Sequence, residues 1–115
     1  MSAEAPFNLD GLRANAPVTA ESGVINADTI FEFSQDGDLV EASYAGGQVR
    51  AGRLIGRVKG DTLEFRYCQA HDDGSLDGGR SNCELRRADD GKIEIVERFQ
   101  WASREGEGVN IIREL

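Results

Sequence analysis

Thr62-Leu63-Glu64-Phe65-Arg66-Tyr67-Cys68-Gln69-Ala70 is the stretch whose reading decides the fold. Leu63, Phe65, Tyr67 and Gln69 share one parity, while Glu64, Arg66 and Cys68 share the other. A period of two is the mark of a strand with one buried face. The turn Lys59-Gly60-Asp61 precedes it, and a polar run beginning at His71 follows it.

The same alternation recurs outward in both directions. In 92–101, Ile93, Ile95, Glu97, Phe99 and Trp101 oppose Glu94, Arg98 and Gln100; upstream, Phe31 and Phe33, then Val40, Ala42 and Tyr44, continue the inner set. Strands are predicted at about 8–18, 23–34, 38–44, 48–58, 62–70, 80–87, 92–101 and 108–114. Gln35-Asp36-Gly37-Asp38, Ala45-Gly46-Gly47 and Asp89-Asp90-Gly91 place glycine where hairpin turns want a positive φ. The segment 48–58 breaks strict parity, because Val49, Ala51 and Ile55 fall with Arg53 and Arg57 while Leu54 and Val58 fall with Arg50. A bulge near Gly52 or Gly56 would reconcile them.

No helical period is sustained anywhere, so the fold class is all-β. Sequential antiparallel strands with short connections bury their edges best by closing the first against the last. The expected architecture is a single-domain, up-and-down antiparallel barrel of about eight strands spanning 1–115, with 1–7 as an N-terminal tail. The interior of such a barrel is either filled by side chains or holds one small ligand.

Composition narrows the partners. The 115 residues carry a formal net charge of −8, and the basic residues are scattered. That field repels phosphate backbones and anionic lipid surfaces, so neither nucleic acid nor membrane is an expected partner. No apolar run reaches the length of a spanning helix, and 1–7 has neither the charge nor the apolar core of an export signal, which makes the cytoplasm the expected location.

Glu97 is the most informative position for function, because its parity puts a carboxylate among Ile95, Phe99 and Trp101. A buried carboxylate needs hydrogen bonds, a cation or a proton. Arg50 or Arg53 is the candidate countercharge and Tyr44 or Tyr67 the candidate hydroxyl donor. Tyr44, Tyr67, Glu97, Trp101, Arg50 and Arg53 therefore form the expected ligand-binding set at one end of the barrel, with no cofactor, no metal and no catalytic residue.

Other candidates read as ordinary structure. Asp73-Gly74-Ser75-Leu76-Asp77-Gly78 with Glu84 matches calcium-loop spacing, but strands rather than helices flank it, so it reads as a solvated hairpin loop. Cys68 and Cys83 fall on opposite faces, which favours free thiols. His71, the one histidine, reads as an exposed loop residue.

The run Phe31-x-Phe33, Gln35-x-Gly37-Asp38, Val40-x-Ala42-x-Tyr44-x-Gly46-Gly47-x-Val49-Arg50-x-Gly52-x-Leu54-Ile55-Gly56, followed by Phe65-x-Tyr67, Cys83, Asp90-Gly91-Lys92, Glu97-x-Phe99-x-Trp101 and Glu114, resembles a family of very short bacterial proteins. That family is commonly labelled N-acetylglutamate synthase. The likeness covers most of the chain after Asn8 and is most specific from Tyr44 to Gly56; the family favours Trp-x-Trp where this chain has Phe99-x-Trp101. In plan the barrel is similar to the calycin group of lipocalin-like and streptavidin-like proteins. The resemblance implies the fold and carries over no catalytic residue. An acetyltransferase holds pyrophosphate on the amides of a strand-loop-helix, whereas the stretch from Arg53 to Val58 lacks the last small residue, so N-acetylglutamate synthase activity is not expected.

The leading expectation is a noncatalytic barrel that binds a small molecule. One alternative is an enzyme using Glu97 as general acid or base. Another is a structural module, forming a homodimer through Ile30, Leu39, Leu54 and Val96.

Overall fold

The computed structural model describes residues 7–115 and contains no helix among them. Eight strands follow in order: β1 (Arg13–Val18), β2 (Ile30–Asp36), β3 (Leu39–Gly46), β4 (Val49–Lys59), β5 (Thr62–His71), β6 (Leu76–Arg87), β7 (Ile93–Trp101) and β8 (Glu107–Glu114). Each pairs antiparallel with the next, and β1 pairs with β8 to close the barrel. The expected class and topology are the observed ones.

Alternation carries the fold as the sequence implies. Leu63, Phe65, Tyr67 and Gln69 are buried, as are Ile93, Ile95, Glu97, Phe99 and Trp101. The parity break in β4 lies at Arg50 and Ala51, just before Gly52: Val49 pairs with His71, yet Ala51 pairs with Ala70. One extra residue there leaves Arg50, Ala51, Arg53, Ile55 and Arg57 outside and Leu54 and Val58 inside. Arg53 to Val58 runs on as strand.

Large rings fit the narrow interior because glycines face them across the ladder. Gly52 is paired with Tyr44, Gly56 with Phe65, Gly79 with Tyr67 and Gly108 with Phe99. A Cβ on Gly52 would sit 2.4 Å from the Tyr44 ring, and one on Gly56 would sit 2.1 Å from the Glu64 carbonyl oxygen. The Tyr44, Tyr67 and Phe99 rings therefore lie over bare backbone, while Gly56 makes room for the backbone of Glu64 and Phe65.

The two ends of the barrel are built differently. At one end, reached by the β2–β3, β4–β5 and β6–β7 turns, residues 7–12 cross beneath the strands. Leu9 is fully buried there, and Leu9 N–H donates to Gln35 Oε1 while Gln35 N–H donates to Asp10 Oδ1. Of the expected tail, residues 1–6 lie outside the described ones; Phe7 is buried, with the Arg87 guanidinium 5.5 Å from its ring centre.

At the other end, residues 19–29 leave the sheet and strap the mouth. The segments 8–18 and 23–34 are thus shorter strands than expected, since 7–12 and 19–29 cover the two ends. Pairing of β1 with β2 is confined to Arg13 with Glu32 and Ala14 with Phe31. Hydrogen bonds fasten the strap instead: Ala20 N–H to Asn110 Oδ1, Ser22 Oγ to the Glu107 carbonyl, Trp101 Nε1–H to the Ser22 carbonyl, Asn15 Nδ2 to the Ala27 carbonyl, Thr29 Oγ1 to the Gly46 carbonyl and Ala16 N–H to the Asn26 carbonyl.

Candidate functional site

Beneath the strap lies a cavity lined by Val24 and Ile25 from above, and by Tyr44, Tyr67, Glu97 and Trp101 from the barrel. These four are the inward members of the expected set, carried by β3, β5 and β7, whose parity sends them to one interior. The volume available to the centre of a water molecule is about 20 Å³. That is room for roughly one water. The interior is therefore nearly filled, and a hollow pocket is not what the closed barrel presents.

Arg50 and Arg53 do not join the site. Both are exposed on the outer face, and Arg53 donates to the carbonyl of Gly52. The expectation of an arginine countercharge is corrected by the bulge at Arg50 and Ala51, which turns both side chains outward.

Glu97 is instead satisfied by neutral donors. Ser81 Oγ donates to Oε2 at 2.6 Å and Asn110 Nδ2 to Oε1 at 3.1 Å. Burial pushes the carboxyl pKa above the ordinary range, and the hydrogen bonds from Ser81 and Asn110 pull against it. Asn110 also accepts from Ala20 N–H, so one amide ties the carboxylate to the strap. Sequence reasoning passed over Ser81 and Asn110, although both share parity with inward neighbours, Cys83 and Ile112.

The tyrosines have unlike environments. Tyr44 stacks on Phe31 at 4.6 Å between ring centres and donates its hydroxyl to Gln69 Oε1 at 2.7 Å. Tyr67 is 9% exposed, and its hydroxyl oxygen is buried with no hydrogen-bond partner among the described residues. Both phenols are pushed far above their usual range, first by burial and next by the Glu97 charge. Trp101 meets Tyr67 and Phe99 edge to face and carries the Arg104 guanidinium 4.3 Å from its ring centre.

His71 is the residue the sequence misplaced. It ends β5 buried, not in an exposed loop, because the strand runs one residue beyond Ala70 and keeps the inward parity of Gln69. Gln69 Nε2 lies 2.9 Å from His71 Nε2, Ser75 Oγ lies 3.3 Å from His71 Nδ1, and Asp77 Oδ2 lies 3.6 Å from His71 Nε2.

The remaining candidates are structural. The stretch from Asp73 to Gly78 forms the β5–β6 hairpin turn and the start of β6, and among the described residues no group of three His, Cys, Asp or Glu side chains is placed to hold a metal. Cys68 is exposed opposite Gly78 and Cys83 buried opposite Leu63, both unbridged. Of the apolar residues expected outside, Leu39 is exposed and Ile30 and Val96 half-buried, whereas Leu54 belongs to the core because the β4 bulge reverses its face.

No curated protein and no solved structure matches the chain. A family model described as avidin-like protein matches residues 7–115, the whole of the barrel and both segments that cover its ends. With a closed antiparallel barrel of eight strands and an inward polar cluster under one mouth, the chain belongs to the avidin-like protein family.

Proposed function

We propose that the barrel binds a small, neutral, largely apolar molecule at the strapped end, and that the strap must shift to admit it. The observation that carries this reading is the buried hydroxyl of Tyr67, a residue that lines the cavity, which has no partner among the described residues. Leaving such a group without a partner costs about 1–3 kcal/mol, which a ligand acceptor would recover. Neutrality follows from the surroundings: burial favours the uncharged form of Glu97, Arg104 is paired with Asp77, and Arg50 and Arg53 lie outside, so neither an anion nor a cation finds a free countercharge. The aromatic walls and the strap residues Val24 and Ile25 supply the apolar contact. Membership of the avidin-like family agrees with small-molecule binding.

A second reading is favoured by the nearly filled interior: a structural module that binds nothing there. Titration with cyclohexanone and δ-valerolactam, followed by side-chain and amide NMR shifts, separates the two. Binding should move Ile25, Tyr67 and Trp101 together and tighten in Val24→Ala/Ile25→Ala, where less packing opposes strap displacement. Tyr67→Phe should weaken it by about tenfold, the worth of one hydrogen bond. Unmoved inward resonances in both the wild type and the double variant would leave only the structural module.

A further inference from the structure

Three buried polar side chains form a chain from Tyr44 through Gln69, which both line the cavity, to His71 behind them, and each link has a direction. The Ser75 hydroxyl donates to Asp73 Oδ1 at 2.6 Å. Its proton committed there, Ser75 Oγ can only accept from His71, so Nδ1 carries the ring hydrogen. In the neutral ring Nε2 then accepts, and Gln69 Nε2 donates to it at 2.9 Å. This sets the Gln69 amide with its oxygen toward Tyr44, whose hydroxyl donates to it at 2.7 Å.

Protonation of His71 at Nε2 reverses the logic. An Nε2–H facing an amide NH₂ at that distance is a donor-donor conflict, removed when the Gln69 amide turns by half a revolution. Its oxygen then accepts from His71, and its nitrogen donates to the Tyr44 oxygen. The Tyr44 proton, displaced from Gln69, is then free to turn toward the cavity that Tyr44 lines. We infer that His71 sets, through Gln69, whether Tyr44 offers the cavity an acceptor or a donor, so that the protonated protein prefers ligands presenting a carbonyl.

Over about pH 5–8, the range in which a histidine can act as a switch, two carboxylates and one arginine stand around the His71 ring. Asp77 from β6 lies 3.6 Å from Nε2, and Asp73 lies behind Ser75 in the β5–β6 turn. Arg104, from the β7–β8 connection, approaches Asp77 at 3.5 Å and tempers its charge, while Ser103 Oγ donates to Asp77 Oδ1. From β4 the residue paired with His71 is the apolar Val49. The phenols of Tyr44 and Tyr67 stay protonated throughout this range, because burial raises both.

The ligand preference rests on the proposed binding site; the relay itself does not, and the test separates them. In the ligand-free protein, His71 ring ¹⁵N, the Gln69 side-chain amide and Tyr44 ¹³Cζ are followed from pH 8 to pH 5. All three should share one midpoint, and Gln69→Leu should leave the His71 titration in place while abolishing the Tyr44 response. A Tyr44 response that survives in Gln69→Leu, or is absent in the wild type while His71 protonates, overturns the relay. With cyclohexanone, which can only accept, affinity should rise about tenfold from pH 8 to pH 5 in the wild type and stay flat in Gln69→Leu. Binding that is flat in both, with the relay operating, overturns the coupling to ligand. Failure of cyclohexanone to bind at any pH overturns the ligand preference, failure of δ-valerolactam as well overturns the binding site, and the shared midpoint still decides the relay.

Discussion

At the end crossed by residues 7–12, Leu9, Val40, Leu63, Leu85, Ile95 and Ile112 meet with almost no exposed surface, whereas at the strapped end Tyr44, Gln69, His71, Glu97 and Asn110 place buried polar atoms among aromatic rings. The same barrel walls serve both. The apolar end gains mainly from buried area, with the Gln35 and Asp10 side chains tying its cover to β2. The polar end depends on directional hydrogen bonds, and its cover is tied through Asn110, Trp101 and Glu107 rather than through strand pairing. A cover held by a few directional bonds opens more readily than a packed apolar layer, which is what the proposed binding site requires.

Truncation at the two ends should expose this contrast most strongly. Leu63→Ala should cost about 3–4 kcal/mol in urea unfolding, since a fully buried site between strands cannot collapse, while Ile25→Ala in the strap should cost roughly 2 kcal/mol because the segment can settle. Equal losses would mean the strap is as rigid as the sheet.

The glycine-ring contacts come next. Gly56→Ala should cost about 2–3 kcal/mol, because its Cβ meets the backbone oxygen of Glu64, and Gly52→Ala roughly 1–2 kcal/mol, because the Tyr44 ring can yield. In the second variant the Tyr44 resonances should shift as well.

The tyrosine pair sharpens the comparison within the polar end. Tyr44→Phe removes a hydroxyl on which Gln69 depends and should cost about 1–2 kcal/mol; Tyr67→Phe removes an unpartnered one and should be neutral or stabilising by up to about 1 kcal/mol. A similar cost for both would show that Tyr67 has a partner in solution.

The smallest effect is read as a slope. Burial raises the Glu97 pKa in the folded state, so the stabilisation it contributes is complete below the unfolded carboxyl value of about 4.3 and is lost as pH rises through the folded value. Glu97→Gln should remove this downward slope. Asp73 and Asp90, lowered by their hydrogen bonds, act in the opposite sense and are common to both proteins, so the difference between the two pH profiles isolates Glu97.

Much of the site was legible from parity. Tyr44, Tyr67, Glu97 and Trp101 alternate with charged neighbours, and period-two burial places them inside whatever the detailed curvature. Arg50 and Arg53 were not legible, because a single inserted residue exchanges faces and either glycine in 48–58 could mark it. His71 escaped because a strand's last residue looks like the first residue of a loop. The partners of Glu97 escaped because Ser81 and Asn110 are ordinary polar residues until the ladder sets them beside a carboxylate.

Strand number, hairpin turns, barrel closure and the inward set belong to the sequence itself, since alternation and glycine placement are local properties that each segment carries alone. The choice between the two candidate places for the β4 bulge, the strap over the mouth, the near-filled interior and the Tyr44–Gln69–His71 chain are products of the tertiary structure. They depend on which side chains from distant strands come to share one confined volume, and no short stretch of residues contains that information.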